Sequence, residues 1–163
     1  RAGRNILAIV LLSMLAACST MDCPLNSMVR LTFGVYNAAQ KPDTLIDTTT
    51  ISTPRRAGID SVLINRLFND TAFKLQVSYT NERDTFYFDF KSNKNVERRD
   101  TVVIFKTNRM HFESVECAAT FFHTINDVST TTHAIDSIVI YNKEVDYDSS
   151  KEHFRNICIL AIS

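Results

Sequence analysis

The stretch "FKLQVSYTNERDTFYFDF", residues 73–90, decides the fold class of this chain. In its first part apolar residues at 73, 75, 77 and 79 alternate with polar ones, and in its last part phenylalanines occupy positions 86, 88 and 90. A period of two is typical of a β-strand with one buried face. The short polar segment "TNERD" at 80–84 predicts that the two strands form a β-hairpin.

Further apolar runs predict strands along the rest of the chain, and no segment shows the sustained 3.6-residue period of an amphipathic helix. The Thr-rich segment 44–53 is predicted to be an edge strand. Many short strands separated by polar turns favour an all-β fold, an antiparallel β-sandwich of Ig-like type with about 8 to 9 strands. The additional candidate strands are 29–37, 44–51, 61–65, 101–107, 111–116, 121–128, 136–142 and 154–162.

The N-terminal segment has the order of a secretory signal, with Arg1 and Arg4 followed by an apolar run from Ile6 to Leu15. A membrane-spanning helix needs about 20 apolar residues, and this run is too short. "LAAC" at 15–18 resembles the bacterial lipobox, in which the cysteine is acylated and becomes the first mature residue. The resemblance predicts a cleaved signal peptide at 1–17 and a lipidated tether at 18–27 with Cys18 as the lipidation site. The predicted strands then place the β-sandwich domain at 28–163.

The predicted lipidation implies a location in the cell envelope. Acyl chains on Cys18 would hold the protein on a membrane while its globular part stays in water. By resemblance to lipoprotein sorting rules, Ser19 does not look like an inner-membrane retention signal, so we expect an outer-membrane lipoprotein. A single acid, Asp22, follows the cysteine where surface-exported lipoproteins often carry an acidic cluster, which favours the periplasmic face.

Composition excludes one class of partner. Removal of residues 1–17 takes two arginines from the 18 basic residues, so 16 basic residues face 18 acidic ones and the net charge is −2. The remaining 146 residues have the size of one domain. No excess of positive charge is available to bind nucleic acid or an acidic membrane surface.

Three cysteines remain beside Cys18, and in an exported chain two of them can pair. We favour Cys23 with Cys117, because Cys23 precedes the first strand and Cys117 lies in a turn. The pair Cys117 with Cys158 stays open as an alternative. Cys158 lies within the apolar run "NICILAI" and is predicted to be a small buried hydrophobic residue.

Motifs for catalysis and metal binding are missing. The four histidines follow no metal-binding spacing, no CxxC or GxSxG is present, and glycines are too few for a phosphate-binding loop. His123 is interpreted as a satisfied, partly buried histidine. We therefore predict a protein that is not an enzyme, with no catalytic residues, no metal ligands and no cofactor.

Five Asp-Thr or Asp-Ser pairs precede hydrophobic runs, at positions 43, 60, 84, 100 and 136. An aspartate in a turn accepts hydrogen bonds from nearby backbone N–H groups, and threonine is favourable at the start of a strand. We interpret these pairs as markers of strand entry.

Several segments together resemble a family of uncharacterised small lipoproteins from Bacteroidota. The resemblance is carried by the lipobox, "CPLN" at 23–26, "VYN" at 35–37, "DSVLIN" at 60–65, the segment 111–148 and "EHFR" at 152–155. It implies an exported β-rich domain and a disulfide between Cys23 and Cys117, and it implies no activity.

Two functional hypotheses follow. The first is a non-enzymatic accessory or protein-interaction module of the envelope that binds another envelope protein through an exposed strand edge or loop. The alternative is a lipoprotein that binds a glycan or peptide ligand through its tyrosines, namely Tyr36, Tyr79, Tyr141 and Tyr147. The absence of tryptophan favours the first hypothesis.

Overall fold

Ten β-strands and no helix form the described part of the chain, so the predicted all-β class is confirmed. The computed structural model describes Cys23 and residues 28–56, 58–147 and 155–161. No helix in these ranges has the length and apolar character needed to cross a membrane. The strands are β1 (Arg30–Tyr36), β2 (Thr48–Thr53), β3 (Ser61–Leu67), β4 (Ala72–Gln76), β5 (Arg83–Lys91), β6 (Glu97–His111), β7 (Thr120–Thr130), β8 (Ile135–Ile140), β9 (Glu144–Val145) and β10 (Ile157–Ala161).

The strands form two sheets, with the orders β4-β1-β10-β8 and β3-β2-β5-β6-β7-β9. Every pair is antiparallel except β1 with β10, which run parallel. The sheets pack face to face, because Phe33 of β1 and Phe73 of β4 both contact Phe88 of β5, with ring centroids 6.2 and 6.0 Å apart. The antiparallel β-sandwich is confirmed, with ten strands. The two-residue β9 is too short to produce a periodic signal in the sequence.

The core is built from the alternating positions that the sequence indicated. Phe86, Phe88 and Phe90 of β5 are all buried, and they meet apolar residues of β1 and β4 from the opposite sheet. Complete burial of an apolar side chain of this size contributes about 1.5–3 kcal/mol. The one-residue offset between buried and exposed positions therefore fixes the register of β5.

The predicted hairpin between residues 73–79 and 85–90 is wrong. β4 belongs to the four-stranded sheet and β5 to the six-stranded sheet, so residues 77–82 cross from one sheet to the other. Side-chain alternation identifies the buried face of a strand but not the neighbour to which it is hydrogen-bonded. The ammonium group of Lys106 in β6 donates to the carbonyl oxygens of Ser78 and Asn81 and so holds this crossing segment against the larger sheet.

The prediction of an edge strand at 44–53 is also wrong. The strand begins only at Thr48, and β2 lies inside the sheet between β3 and β5. Thr49 is fully buried there, and its hydroxyl donates to the carbonyl oxygen of Asp47 at 3.1 Å. A threonine whose hydroxyl is satisfied locally can occupy an interior strand, because its branched side chain packs well on a pleated surface.

The predicted strand at 111–116 is a loop. β6 ends at His111, and the backbone N–H of Cys117 donates to the carbonyl oxygen of Ser114 in a tight turn. After this loop, Phe121 and Phe122 point to opposite faces of β7. Phe121 stacks on Tyr79 and Phe122 on His111, so both faces of the sheet are covered here.

Candidate functional site

The cysteines lie in two different environments. Cys23 and Cys117 form a disulfide with Cα atoms 5.6 Å apart, which fastens the N-terminal segment to the loop between β6 and β7. Cys158 is a free, buried thiol, and burial raises its pKa. The predicted signal peptide at 1–17 and the lipidation site Cys18 lie outside the described residues, and the predicted tether at 18–27 is described only at Cys23.

An exposed apolar surface lies along β3, which is one edge of the six-stranded sheet. Large apolar side chains are normally buried in a sandwich, yet here several stand in solvent within and around one edge strand. We define the β3 surface as the exposed apolar residues together with the exposed arginine between them. It consists of Ile46, Val62, Leu63, Arg66 and Phe68.

β3 is irregular as well as exposed. Its span from Ser61 to Leu67 faces the shorter span from Thr49 to Thr53 of β2, and the register shifts twice. Arg66 has a positive φ of 59°, which is uncommon for a residue other than glycine. Bulges of this kind twist an edge strand and disfavour stacking of identical edges. The exposed side chains therefore remain available without making β3 a regular template for aggregation.

A groove of about 830 Å³ adjoins this surface on the outer face of the larger sheet. Thr48 and Thr50 of β2 line it, as do Arg66 and Phe68 from the β3 side. Val62 pairs with Ser52, which lies two residues beyond Thr50 on β2, so Val62 shares the face of the groove. The turn between β5 and β6 supplies further polar lining through Ser92, Asn93 and Asn95.

Most charges in the groove are neutralised within the protein. The guanidinium of Arg99 donates to both carboxylate oxygens of Asp89 at 2.6 and 2.8 Å, and this hydrogen bonding raises the pKa of Arg99. Lys91 pairs with Glu97 at 3.1 Å. Arg66 has no ion-pair partner among the residues that the structure describes. The groove therefore offers one unpaired cation beside exposed apolar side chains.

The four tyrosines that were candidates for ligand stacking are not brought together. Tyr36 is held by Arg155, whose guanidinium donates to the phenol oxygen at 2.6 Å and lies over the ring. Tyr79 stacks on Phe121, and Tyr147 contacts both His111 and Phe122 edge-on. Tyr141 is exposed. None of the four lines the groove.

A polar cluster is buried at the end of the larger sheet near the β6–β7 loop. The Lys106 ammonium donates to the Asn108 side-chain oxygen at 2.7 Å and lies 3.4 Å from the Asp84 carboxylate. Nδ1 of His123 contacts the same Asn108 oxygen at 2.8 Å. The interpretation of His123 as a satisfied, partly buried residue needs correction. The side chain is completely buried, and Nε2 has no hydrogen-bond partner within the described residues.

Burial controls the charge of both basic groups in this cluster. It lowers the pKa of His123 to about 4, with a smaller contribution from the nearby Lys106 cation, so His123 is neutral at pH 7. Burial also lowers the pKa of Lys106, although Asp84 opposes the shift. Lys106 binds backbone carbonyls of the crossing segment 77–82, and the cluster therefore fixes the connection between the two sheets.

Asp100 forms a second buried polar cluster near the start of β6. Its carboxylate has no solvent exposure. It accepts hydrogen bonds from the Thr131 hydroxyl, from the backbone N–H and the Nδ1 atom of His133, and from the backbone N–H groups of Ala134 and Ile135. Desolvation acts to raise the pKa of Asp100, but these hydrogen bonds together lower it below the usual value. The carboxylate thus holds the connection between β7 and β8 on the sheet.

The predicted role of the aspartates as strand-entry markers holds for only some of them. Asp60 directly precedes β3. The Asp43 carboxylate accepts from the Thr44 N–H at 2.8 Å, but no strand begins there, because β2 starts only at Thr48. Asp100 is instead an interior strand residue whose partners lie more than 30 positions along the chain. Its alternating position on the buried face of β6 is the signal that would have distinguished it from the others.

No group of three or more potential metal ligands occurs within the described ranges of the chain. The buried polar groups of the two clusters contact one another and the backbone, and they do not line the groove. The β3 surface and its groove are therefore the features most suited to an external partner.

A family model described as a family of unknown function (DUF6452) matches residues 48–157. The chain belongs to this family. The DUF6452 match contains every strand of the six-stranded sheet, both buried polar clusters and the β3 surface except Ile46. Comparisons with curated proteins and with solved structures give no match.

Proposed function

We propose that this DUF6452 protein is a non-enzymatic lipoprotein of a Bacteroidota cell envelope, anchored through Cys18 to the periplasmic face of the outer membrane. Its role is that of an accessory module that binds another envelope protein. The β3 surface binds an apolar segment of that partner, and Arg66 pairs with an acidic group next to the segment. No nucleic acid takes part.

The exposed apolar character of β3 carries this proposal. Val62 is 56% exposed and Phe68 60% exposed, and the neighbouring Leu63 and the groove-lining Ile46 are exposed as well. A cluster of exposed apolar side chains next to a groove is typical of a surface that binds another protein. Arg66, unpaired at the edge of the same groove, supplies electrostatic specificity for an acidic partner.

The lipobox at 15–18 supports the anchoring, and the disulfide supports an oxidising compartment outside the cytoplasm. A tethered protein searches for its partner in the plane of the membrane, which raises the effective concentration of the two proteins. An interface of modest area is then sufficient for stable association.

The test is a purification of the tagged, lipidated protein from its own outer membranes in mild detergent. Val62→Lys places a charge on the β3 surface, and Val139→Lys is the matched control, because Val139 is 52% exposed on β8, an edge of the other sheet. We expect a stoichiometric partner that is retained by Val139→Lys, lost by Val62→Lys, and lost by Cys18→Ala. Equal recovery from both lysine variants would contradict binding at β3.

The groove favours a second candidate, a lipoprotein that binds a free glycan or peptide. Its volume of about 830 Å³ and its mixture of Phe68 with polar side chains are compatible with a small ligand. Calorimetric titration with acidic peptides and with cell-wall oligosaccharides tests this function. Saturable binding that Arg66→Ala weakens, without any protein partner in the purification, would favour the ligand-binding alternative.

A further inference from the structure

The loop between β6 and β7, residues 112–119, carries two exposed apolar side chains, one directly after β6 and one at its tip. Phe112 is 57% exposed and Val115 is fully exposed. Val115 follows Ser114 in the turn that the Cys117 N–H closes on the Ser114 carbonyl oxygen. Turn positions favour glycine, proline, asparagine, aspartate and serine. The turn therefore does not account for a valine at its apex, and contact with an apolar environment would.

The base of this loop is held in place by an aromatic cluster. His111 stacks on Phe122 with centroids 4.3 Å apart, and Tyr147 meets Phe122 edge-on at 5.0 Å. Nε2 of His111 lies 3.2 Å from the Glu113 carboxylate. The loop thus projects past the end of β6 on an ordered support, and the side chains of Phe112 and Val115 are exposed to solvent.

The disulfide places this tip close to the predicted membrane anchor. Cys117 lies two residues from Val115 and is bonded to Cys23, which is five residues from Cys18. Five residues span at most about 18 Å. Acyl chains on Cys18 therefore enter the membrane within this distance of the disulfide.

We propose that Phe112 and Val115 insert into the interfacial region of the bilayer that holds the acyl chains. The inference rests on the proposed lipidation of Cys18. Glu113 and Glu116 flank the tip, so the contact is apolar and gains nothing from anionic headgroups. The β6–β7 end of the sandwich then rests on the membrane. The groove, which includes the turn between β5 and β6 at the other end of β6, is held away from the membrane.

The chain contains no tryptophan, so a single introduced indole reports on one position. Phe112→Trp and Val115→Trp place it in the β6–β7 loop, and Val96→Trp is the matched control. Val96 is 55% exposed and precedes β6, whereas Phe112 follows it. The 15 residues of this strand separate the two positions by roughly 50 Å.

The full lipidated protein carrying each substitution is reconstituted into vesicles of phosphatidylethanolamine and phosphatidylcholine with brominated acyl chains. We expect the indoles at 112 and 115 to emit at shorter wavelength and to be quenched by bromine, with no dependence on salt. The indole at position 96 should emit as in water and remain unquenched. Intact mass of the reconstituted protein measures acylation separately.

Two failures are distinguishable. A chain without the mass of its acyl groups contradicts the proposed anchor, and the membrane-facing tip falls with it. An acylated chain whose indoles at 112 and 115 behave like the one at 96 overturns the membrane contact alone. If the indoles at 112 and 115 are shielded from water in native outer membranes but not in vesicles, a protein covers the tip. That result would also overturn the inference.

Discussion

Replacement of Asp100 by asparagine is expected to destabilise the fold strongly, although it changes only one heavy atom. Either amide orientation puts a nitrogen where a carboxylate oxygen accepts hydrogen bonds. At one oxygen the N–H groups of Ala134 and Ile135 donate at 2.7 and 2.8 Å, and at the other the donors are the Thr131 hydroxyl and two nitrogens of His133. The orientation that keeps an oxygen for Ala134 and Ile135 leaves the partly buried backbone N–H of His133 without an acceptor, and the hydrogen bonds that remain are to a neutral group.

A hydrogen bond to a charged group contributes about 1.5–3 kcal/mol and one to a neutral group about 0.5–1.5 kcal/mol, so the loss of one bond together with the weakening of the others costs about 3 kcal/mol. That is a large share of the roughly 5–15 kcal/mol by which a domain is stable. The assay is urea unfolding of wild type and Asp100→Asn at pH 7, followed by circular dichroism. Asp136→Asn is the control, because Asp136 is exposed on β8, and its effect should stay within about 0.5 kcal/mol.

The pH dependence of this difference follows from the lowered pKa of Asp100. A carboxylate whose folded pKa lies below its unfolded value contributes stability above the unfolded pKa, and the contribution is lost as the pH falls through the folded pKa. The gap between wild type and Asp100→Asn should therefore be constant near neutrality and should shrink below about pH 4. A difference under about 1 kcal/mol at pH 7 would refute the argument that the carboxylate is irreplaceable.

Three further changes test other buried groups. Burial and the nearby Lys106 lower the pKa of His123 in the folded protein to about 4, so the unfolded chain binds more protons between pH 6.5 and 4. As the pH falls through this window, the free energy of unfolding of the wild type should decrease by up to about 3 kcal/mol. In urea unfolding at a series of pH values, His123→Leu should make this dependence on pH weaker. Lys106→Met leaves backbone carbonyls of the crossing segment 77–82 without their donor and should cost about 3 kcal/mol, with faster amide hydrogen exchange in that segment, and unchanged exchange would contradict this role. The double substitution of Cys23 and Cys117 by serine removes a crosslink between residues 94 positions apart and should lower stability by about 4 to 5 kcal/mol in the chain-entropy model; an unchanged urea midpoint would refute it.

The sequence predicted the faces of strands well and their neighbours poorly. The phenylalanines at 86, 88 and 90 are buried as their period of two indicates, because alternation is a local property of the extended chain. Pairing is not local. The polar residues 80–84 are typical of a hairpin turn, yet the segment 77–82 crosses between the two sheets. Lys106, which lies more than 20 residues away in sequence, binds this crossing segment.

The sequence predicted the type of candidate site but not its position. An exposed strand edge was expected, but the strand chosen as an edge, 44–53, lies in the sheet interior, and β3 is the edge beside it. Residues 61–65 were predicted only as a strand. Their exposure depends on the two register shifts against β2, which place apolar residues outside the core. A bulge cannot be predicted from amino-acid composition, so the β3 surface is identified only from the structure.

Site-specific photocrosslinking in living cells tests the central claim most directly. A benzoylphenylalanine replaces Val62 on the β3 surface in one strain and Val139 on β8 in another, and both positions are similarly exposed. Binding through β3 predicts one discrete adduct from position 62, none from position 139, and loss of the adduct when Phe68→Lys is added. Adducts of equal yield from both positions, or none from position 62, would contradict the proposal that β3 is the docking surface.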